Sequence, residues 1–254
     1  MDNKELIKKI IKKKEFSQLP EIDVKLAFEH FDKPQYIDEE KVKLTRDLLR
    51  KVFSAFTSRK LLNLKDKDYE WFLKKHTSTR ERLNFYPEIY QRILKGFDKK
   101  ASIIDLGAGI NGFSYNYFKE NINYVAVESI GQFVDLMNNY FKNNRIKANA
   151  YHASLFELEK VKKIIRKTEK PRIVFLFKTL DSLEMLKRDY SKELLLALSS
   201  FVDRFVVSFA TRSLIRRTRF KVKRSWILNF IKDGFKILDD NVAEIFLFSL
   251  SVNL

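Results

Sequence analysis

Three of the six glycines in this chain lie close together, between two acidic residues that each end an apolar run. Asp105 comes directly before Gly107, Gly109 and Gly112, and Glu128 ends the next apolar run. Glycine lets the backbone turn sharply and approach a ligand closely, and an acid about twenty residues further on can accept the hydroxyls of a ribose. The spacing predicts a βαβ unit that binds a nucleotide-like cofactor. The alternative is a strand-turn-helix whose glycines only shape the turn.

The order of residues in this turn, Asp-Leu-Gly-Ala-Gly-Ile-Asn-Gly, narrows the class of cofactor. It is not a Walker phosphate loop, because no Gly-Lys-Ser/Thr follows it. It also differs from the usual dinucleotide fingerprint, because Asp105 stands directly before the turn. An acid at that point resembles the first motif of the methyltransferases that depend on S-adenosyl-L-methionine (SAM). We therefore expect SAM as the cofactor.

The composition excludes several other kinds of site. The chain has 254 residues, of which 45% are hydrophobic and 33% charged, as expected for one large α/β domain with a smaller appendage. It has no cysteine and three histidines, so cysteine nucleophiles are excluded and no metal site is expected. No stretch approaches about eighteen uninterrupted apolar residues, and the N-terminus lacks a signal-peptide core. We expect a cytoplasmic protein with no membrane partner; a monomer is assumed, because the sequence does not reveal the oligomeric state.

Positive charge is abundant and unevenly distributed. Lysine and arginine number 50 against 33 acidic residues, a net charge of +17. Residues 101–150 carry four basic and four acidic side chains, whereas a run near the C-terminus has seven basic residues and no acid. Such a concentration favours a polyanionic partner, because basic side chains neutralise phosphates. The predicted RNA-binding residues are Arg212, Arg216, Arg217, Arg219, Lys221, Lys223 and Arg224.

The hydrophobic pattern divides the chain into two parts. Apolar residues at helical spacing predict helices over residues 1–16, 23–31 and 38–56, and the first glycine is Gly96. We predict an all-helical, RNA-binding accessory domain over residues 1–84 and a methyltransferase domain over residues 85–254.

Apolar runs alternate with helical patterns after the glycine turn. Those at 146–151, 173–177 and 205–209 predict further parallel strands, and residues 235–238 and 243–250 suit a closing antiparallel hairpin. Ligands bind at the carboxyl ends of the strands in such sheets. The predicted fold class is therefore α/β, a class I SAM methyltransferase with a Rossmann-like seven-stranded sheet.

Four segments together resemble one family, the aminoglycoside-resistance 16S rRNA (guanine-N7) methyltransferases. They are HTSTRERL (76–83), IIDLGAGINGF (103–113), FLFKTLDSLE (175–184) and VVSFATRSL (206–214). The resemblance covers residues 70–220. It implies SAM-dependent methylation of a guanine ring nitrogen, N7, near the decoding site. The implied partner is rRNA or the small ribosomal subunit. The sequence leaves open whether the biological role is antibiotic resistance or ribosome maturation.

The resemblance also implies roles for individual residues. Arg80 or Arg82 would hold the methionine carboxylate of SAM, and Glu128 would bind its ribose hydroxyls. Ser154 and Leu155 would flank the adenine. The full implied set for the cofactor is His76, Ser78, Arg80, Arg82, Asp105, Gly107, Ala108, Gly109, Glu128, Ser129, Ser154 and Leu155.

On the substrate side, Lys178, Thr179, Ser208 and Arg212 would face the target guanine and its phosphates. Phe209 could stack on the exposed base, although a phenylalanine at a strand end is commonly part of the core. The catalytic candidates are therefore Lys178, Ser208 and Phe209. A ring nitrogen has its lone pair available, so this chemistry needs no general base and its rate comes from positioning.

The sequence departs from the family pattern at three places. Ser154 stands where an aspartate is usual, Ala210 where proline is usual, and Ile215-Arg216-Arg217 where glycines are usual. Three functions therefore stay open. The first is rRNA methylation in the small subunit, and the second is methylation of tRNA or another rRNA position. The third is a non-enzymatic RNA- or ribosome-binding protein on a methyltransferase fold, against which the intact glycine turn and Glu128 argue.

Overall fold

A computed structural model describes residues 2–54, 68–97, 101–118, 122–209, 224–242 and 245–250. Within these ranges a sheet runs in the order β3-β2-β1-β4-β5-β7-β6. Its first five strands are parallel, and β7 is antiparallel to both β5 and β6. The strands are β1 (Ser102–Leu106), β2 (Asn123–Glu128), β3 (Ala148–His152), β4 (Arg172–Phe177), β5 (Arg204–Ser208), β6 (Phe235–Val242) and β7 (Ile245–Leu250). The predicted α/β fold with a parallel sheet is confirmed.

Helices precede the sheet and connect its strands. The α-helices of the described residues are α1 (Asn3–Ile11), α2 (Glu21–Glu29), α3 (Asp38–Leu49), α4 (Tyr69–Lys75), α5 (Thr77–Arg82), α6 (Tyr86–Leu94), α7 (Gly131–Asn143), α8 (Leu158–Lys167), α9 (Leu180–Leu186), α10 (Tyr190–Ser199) and α11 (Ser225–Gly234). A π-helical turn (Arg50–Ser54) and two 3-10 helices (Leu83–Phe85 and Asn111–Tyr117) complete the set. No described helix has the length and apolar character needed to span a membrane.

The strand order creates the crevice that positions the site. From β1 the chain crosses to β2 and β3 on one side, and then returns to β4 on the other side of β1. Ligands of open α/β sheets bind where the direction of winding reverses in this way, outside the carboxyl ends of the strands. Strands β1 and β4 are buried at every position, as expected for parallel strands covered on both faces.

The N-terminal helices pack against the same hydrophobic core as the sheet. Leu6 and Ile10 of α1 and Phe28 of α2 belong to one cluster of buried side chains with Ile103 of β1. Hydrogen bonds also hold the N-terminal segment against residues near the carboxyl edge of the sheet. His30 Nε2 lies 2.9 Å from the carbonyl oxygen of Leu186, and Gln132 Nε2 donates to the Lys14 carbonyl at 3.1 Å. The N-terminal helices therefore cover one end of the crevice.

Two helical predictions differ from the structure. The helix predicted over 38–56 is α-helical only to Leu49 and continues as the π-helical turn. The wider turn changes the direction of the side chains that follow, and Val52 and Phe53 line the crevice. The helix expected after the glycines is a 3-10 helix, with short-range bonds such as that from Phe113 N to the Ile110 carbonyl at 3.1 Å.

Two further elements differ from the sequence prediction: helix α9 is absent from it, and strand β6 is longer than expected. Helix α9 was not predicted, because it is short and begins directly at the end of β4. Strand β6 runs through Asp239–Val242, which the sequence suggested as the hairpin turn. Register shifts between Ile237 and Val242 let these polar residues remain in the strand. Residues 243 and 244, where the strands connect, lie outside the described ranges.

Candidate cofactor site

A cleft that is partly open to solvent lies at the carboxyl ends of β1, β2 and β4. The glycine turn and Glu128 line it, as do Arg82 from α5 and Lys178 beyond β4. Helix α9 and the N-terminal segment form its other walls. The sequence-predicted segments therefore meet at one place, although they are far apart along the chain.

The glycine turn has a backbone conformation and a close packing that a residue with a side chain would not tolerate. Gly107 and Gly109 have φ of 68° and 57°, a left-handed conformation that glycine adopts without strain. The N–H groups of Gly107 and Ala108 donate to the Val127 carbonyl at 2.9 and 3.2 Å, which ties the turn to β2. A Cβ on Gly107 would lie 2.8 Å from Thr179 Cγ2. The turn is therefore packed tightly against Thr179, two residues beyond the end of β4.

Glu128 connects the end of β2 to the glycine turn. Its Oε2 accepts from Gly109 N at 2.7 Å, and its Oε1 accepts from Ile130 N at 2.8 Å. The side chain is buried and lines the cleft. Each carboxylate oxygen has a second lone pair, so Glu128 can also accept hydroxyl groups from a ligand. This is the chemistry that the sequence predicted for it.

Asp105 lies beneath the turn and does not line the cleft. Its Oδ2 accepts from Asn111 Nδ2 at 2.7 Å and from the Tyr124 hydroxyl at 2.6 Å. The same Asn111 accepts through Oδ1 from the Tyr86 hydroxyl at 2.7 Å and from the Arg82 guanidinium at 3.2 Å. Burial raises the pKa of Asp105. The acid before the glycine turn therefore positions the turn and Arg82 through Asn111.

The two arginines of α5 lie in different environments. Arg82 is buried and lines the cleft, with its guanidinium 4.6 Å from the centre of the Phe177 ring. It donates to Ser78 Oγ at 2.9 Å and to Asn111, so its described hydrogen-bond partners are neutral. Arg80 is exposed and does not line the cleft. A buried cation with neutral protein partners favours an anionic ligand, which singles out Arg82.

His76 and Ser78 also lie on the cleft wall beside Arg82. His76 is buried next to the glycine turn, where a Cβ on Gly109 would come within 3.3 Å of its ring. Burial, with Arg82 and Lys178 nearby, lowers the pKa of His76 to about 3. The ring is therefore neutral at physiological pH and adds no charge to the site.

At the other end of the cleft, the residues after β3 form the wall together with α2. Leu155 lines the cleft together with Ser129, whereas Ser154 is fully buried behind it. The Ser154 hydroxyl donates to Asp23 of α2, and it is Asp23 that lines the cleft. Asp23 is absent from the site residues that the sequence predicts. An acid in the first turn of a helix is ordinary, so no local pattern distinguished it.

Of the substrate-side candidates, Lys178 and Thr179 line the cleft, whereas Ser208 does not. Lys178 has φ of 60°, and its ammonium group forms an ion pair with Glu81 of α5. Its backbone N–H donates to the Ser208 carbonyl at 2.9 Å. Ser208 is buried at the end of β5. The pair between Lys178 and Glu81 therefore joins α5 to the end of β4.

Phe209 and Arg224 form a second cluster, and neither of them lines the cleft. Phe209 is buried in the hydrophobic core, with the Arg224 guanidinium 5.0 Å from its ring centre. Arg224 is held by Asp181 at 2.7 Å. The other predicted RNA-binding residues lie outside the described ranges: Arg212, Arg216, Arg217, Arg219, Lys221 and Lys223.

Comparison with known proteins identifies the family. Residues 46–225, more than half of the chain, match the family described as ribosomal RNA methyltransferase (FmrO). The chain belongs to this family. The predicted family and enzyme class, a SAM-dependent rRNA methyltransferase, are thereby confirmed. A search of curated proteins found no match.

Solved structures show the same fold along nearly the whole methyltransferase chain. The 16S rRNA methyltransferase RmtF, in complex with S-adenosyl-L-homocysteine, has a TM-score of 0.77 at 21% identity, over 98% of each chain. The 16S rRNA methylase RmtB gives 0.75 at 17% identity, over 99% of each chain. An rRNA methylase from Escherichia coli gives 0.74 at 18% identity, over 98% of this chain and 100% of that one.

The polar groups that line the cleft of the methyltransferase suit SAM. Glu128 provides acceptors for ribose hydroxyls, and Arg82 provides a cation for a carboxylate. Ile130 and Leu155 offer apolar surface for a flat base. The cofactor predicted from the sequence therefore fits the side chains that line the cleft.

The pKa of Glu128 sets an expected pH dependence of cofactor binding. Burial raises this pKa to about 7, and hydroxyl donors bind the ionised carboxylate more strongly. Protonation therefore competes with binding, and the affinity should fall as the pH drops through 7. From pH 8 to pH 6 we expect about tenfold weaker binding of 5′-methylthioadenosine, measured by isothermal titration calorimetry. This probe carries the adenosine half of SAM and no amino acid group.

A Glu128→Gln variant provides the control. It should bind 5′-methylthioadenosine more weakly than the native protein, with little change between pH 8 and pH 7, because the titrating group is gone. Asp23 contributes to the pH dependence of binding only near pH 6, because burial raises its pKa to about 6. If the affinity of the variant changed between pH 8 and pH 7 as much as that of the native protein, the pH dependence would belong to another group.

Proposed function

We propose that this enzyme methylates N7 of a guanine in small-subunit rRNA near the decoding site. The supporting observation is the absence of a suited general base among the described cleft residues. Glu128 and Asp23 lie toward the cofactor end, and the pKa of His76 is about 3. N7 of guanine carries a free lone pair, whereas an amino or hydroxyl group must lose a proton. The cleft is therefore better suited to a ring nitrogen.

In this proposal the protein acts by holding cofactor and base in line. SAM, when bound, supplies a methyl group on a positively charged sulfur. Arg82 holds the carboxylate of the cofactor, Glu128 holds the ribose, and the turn from Gly107 to Gly109 approaches the methionine portion. Lys178 and Thr179 lie on the side from which the guanine enters. Positioning of this kind accounts for large rate gains without acid–base catalysis.

The RNA is held by positively charged parts of the chain outside the cleft. Residues 1–84 serve as the accessory domain that grips rRNA, and residues 85–254 form the seven-stranded methyltransferase domain. In support, α1 and the residues after it carry exposed lysines opposite the buried Leu6 and Ile10. The basic run at 212–224 supplies further phosphate contacts. The protein acts in the cytoplasm on assembled small ribosomal subunits.

The test is transfer of labelled methyl groups from SAM to three substrates in parallel: small ribosomal subunits, naked 16S rRNA and bulk tRNA. The product is then cleaved chemically at 7-methylguanine. We expect label on intact subunits and one cleavage in the decoding region. Label without cleavage would show that another atom is methylated, and label on tRNA alone would show that tRNA is the substrate.

A cellular measurement separates antibiotic resistance from ribosome maturation. Expression of the native enzyme in a susceptible bacterium should raise the inhibitory concentration of aminoglycosides that bind the decoding site. The Arg82→Gln variant, at equal protein level, should leave it unchanged. Equal resistance with both proteins, when the 16S rRNA of cells with the variant carries no added methyl group, would show that methylation is not its cause.

A further inference from the structure

Helix α2 places a carboxylate in the cofactor cleft. Asp23 is 1% exposed and lines the cleft near Leu155 and Ile130. The bond between His30 and the Leu186 carbonyl holds the end of α2 against α9. The N-terminal segment therefore contributes a buried acid to the cleft, in addition to Glu128 from the sheet.

The two oxygens of Asp23 differ in their surroundings. Oδ1 accepts from the Ser154 hydroxyl, which in turn accepts from Phe156 N at 3.0 Å. Ser154 has one hydroxyl proton, and that proton is committed to Asp23. Oδ2 is buried and receives no hydrogen bond of normal geometry from the described residues. The Ser129 hydroxyl lies close enough to lower the pKa of the carboxyl, but its own proton points to the Ala153 carbonyl at 3.4 Å. A buried carboxylate oxygen without a donor is costly, unless a ligand supplies one.

The sheet order indicates which part of the cofactor meets Asp23. Glu128 at the end of β2 marks the ribose, and the glycine turn after β1 marks the methionine side. The base must then lie beyond Glu128, toward the end of β3, where Ile130 and Leu155 provide flat apolar walls. Because N9 carries the ribose in SAM, the 6-amino group is the single N–H donor group of its adenine.

We propose that Asp23 reads the adenine of SAM, with Oδ2 accepting a hydrogen bond from the 6-amino group. Ser154 acts as the positioning residue that orients the carboxylate. The proposal rests on the SAM site described above. It means that the N-terminal segment completes the cofactor pocket, so the binding of SAM and the docking of α2 stabilise each other.

The test compares two ligands by isothermal titration calorimetry at pH 8. One is S-adenosyl-L-homocysteine, and the other is its analogue with unsubstituted purine, which lacks the 6-amino group. The native protein should prefer the adenine compound by about tenfold to hundredfold, the usual effect of a hydrogen bond to a charged group. Asp23→Ala should bind both compounds with nearly equal affinity.

Controls separate this proposal from the SAM site itself. Glu21→Gln changes an exposed acid on the same helix and should keep the native preference. Asp23→Leu fills more of the volume than alanine and should also lose the preference, which covers the case in which Asp23→Ala fails to fold. The adenine contact alone would be overturned if the native protein did not prefer the adenine compound, or if the Asp23 variants kept that preference. Failure of the native protein to bind S-adenosyl-L-homocysteine would overturn the SAM site as well.

Discussion

Replacing Arg82 with glutamine should weaken the binding of S-adenosyl-L-homocysteine by about tenfold to hundredfold, as expected for the loss of a charge-assisted hydrogen bond. Arg82 is the buried cation of the cleft, and its protein partners, Ser78 and Asn111, are neutral. A carboxylate ligand therefore meets a guanidinium that no described acid neutralises by direct contact. The dissociation constant, measured by isothermal titration calorimetry, gives the effect.

The neighbouring arginine provides a matched control for this variant. Arg80 lies two residues earlier on α5 and is exposed, so Arg80→Gln should bind the ligand like the native protein. 5′-Methylthioadenosine lacks the carboxylate, and its affinity should be nearly the same in Arg82→Gln and the native protein. A parallel loss of affinity for both ligands would mean that Arg82 supports the shape of the cleft instead of binding the carboxylate.

A Gly107→Ala substitution should destabilise the protein by about 2–5 kcal/mol and strongly reduce cofactor binding. The left-handed backbone costs an alanine about 1–2 kcal/mol, and forcing a methyl group into a packed site costs about 1–3 kcal/mol. The added Cβ would lie 2.8 Å from Thr179 Cγ2 and 3.0 Å from Thr179 Oγ1. Thr179 cannot rotate away without losing its bond to the Leu106 carbonyl. Urea unfolding measures the change in stability.

Thr179→Ser tests the steric part of this argument. It removes Cγ2 and keeps the hydroxyl, so the double variant with Gly107→Ala should regain part of the lost stability. Gly234→Ala is the control, because a Cβ there has nothing within 4 Å. Its effect on stability and binding should be small. If the double variant were no more stable than Gly107→Ala alone, contact with Thr179 would not be the cause.

The parts of the site that the sequence predicted are those whose signal is local in the chain. Gly107, Gly109 and Glu128 could be recognised because turn, strand and acid follow each other at a fixed spacing. Asp105 was recognised as well, but its hydrogen bonds place it beneath the turn. Spacing alone reports that an acid precedes a glycine turn, not the direction in which its side chain points.

Features that depend on packing could not be predicted in this way. Arg80 and Arg82 stand in one segment, and only the docking of α5 decides which of them is buried. Asp23 meets Ser154 across 131 residues of sequence, so no window along the chain contains both. The extent of β6 and the π-helical turn likewise follow from tertiary contacts that override local preference.

The attachment of the N-terminal helices has a consequence for synthesis on the ribosome. Asp23 bonds to Ser154, and His30 bonds to the Leu186 carbonyl across 156 residues. A nascent chain acquires these contacts only after α9 has emerged, because the chain is made from its N-terminus. Helices α1 and α2 can pack on α3 early, but the surface of α2 that carries His30 has no partner until more than half of the chain has been made. During that interval this surface is a site that a chaperone can bind.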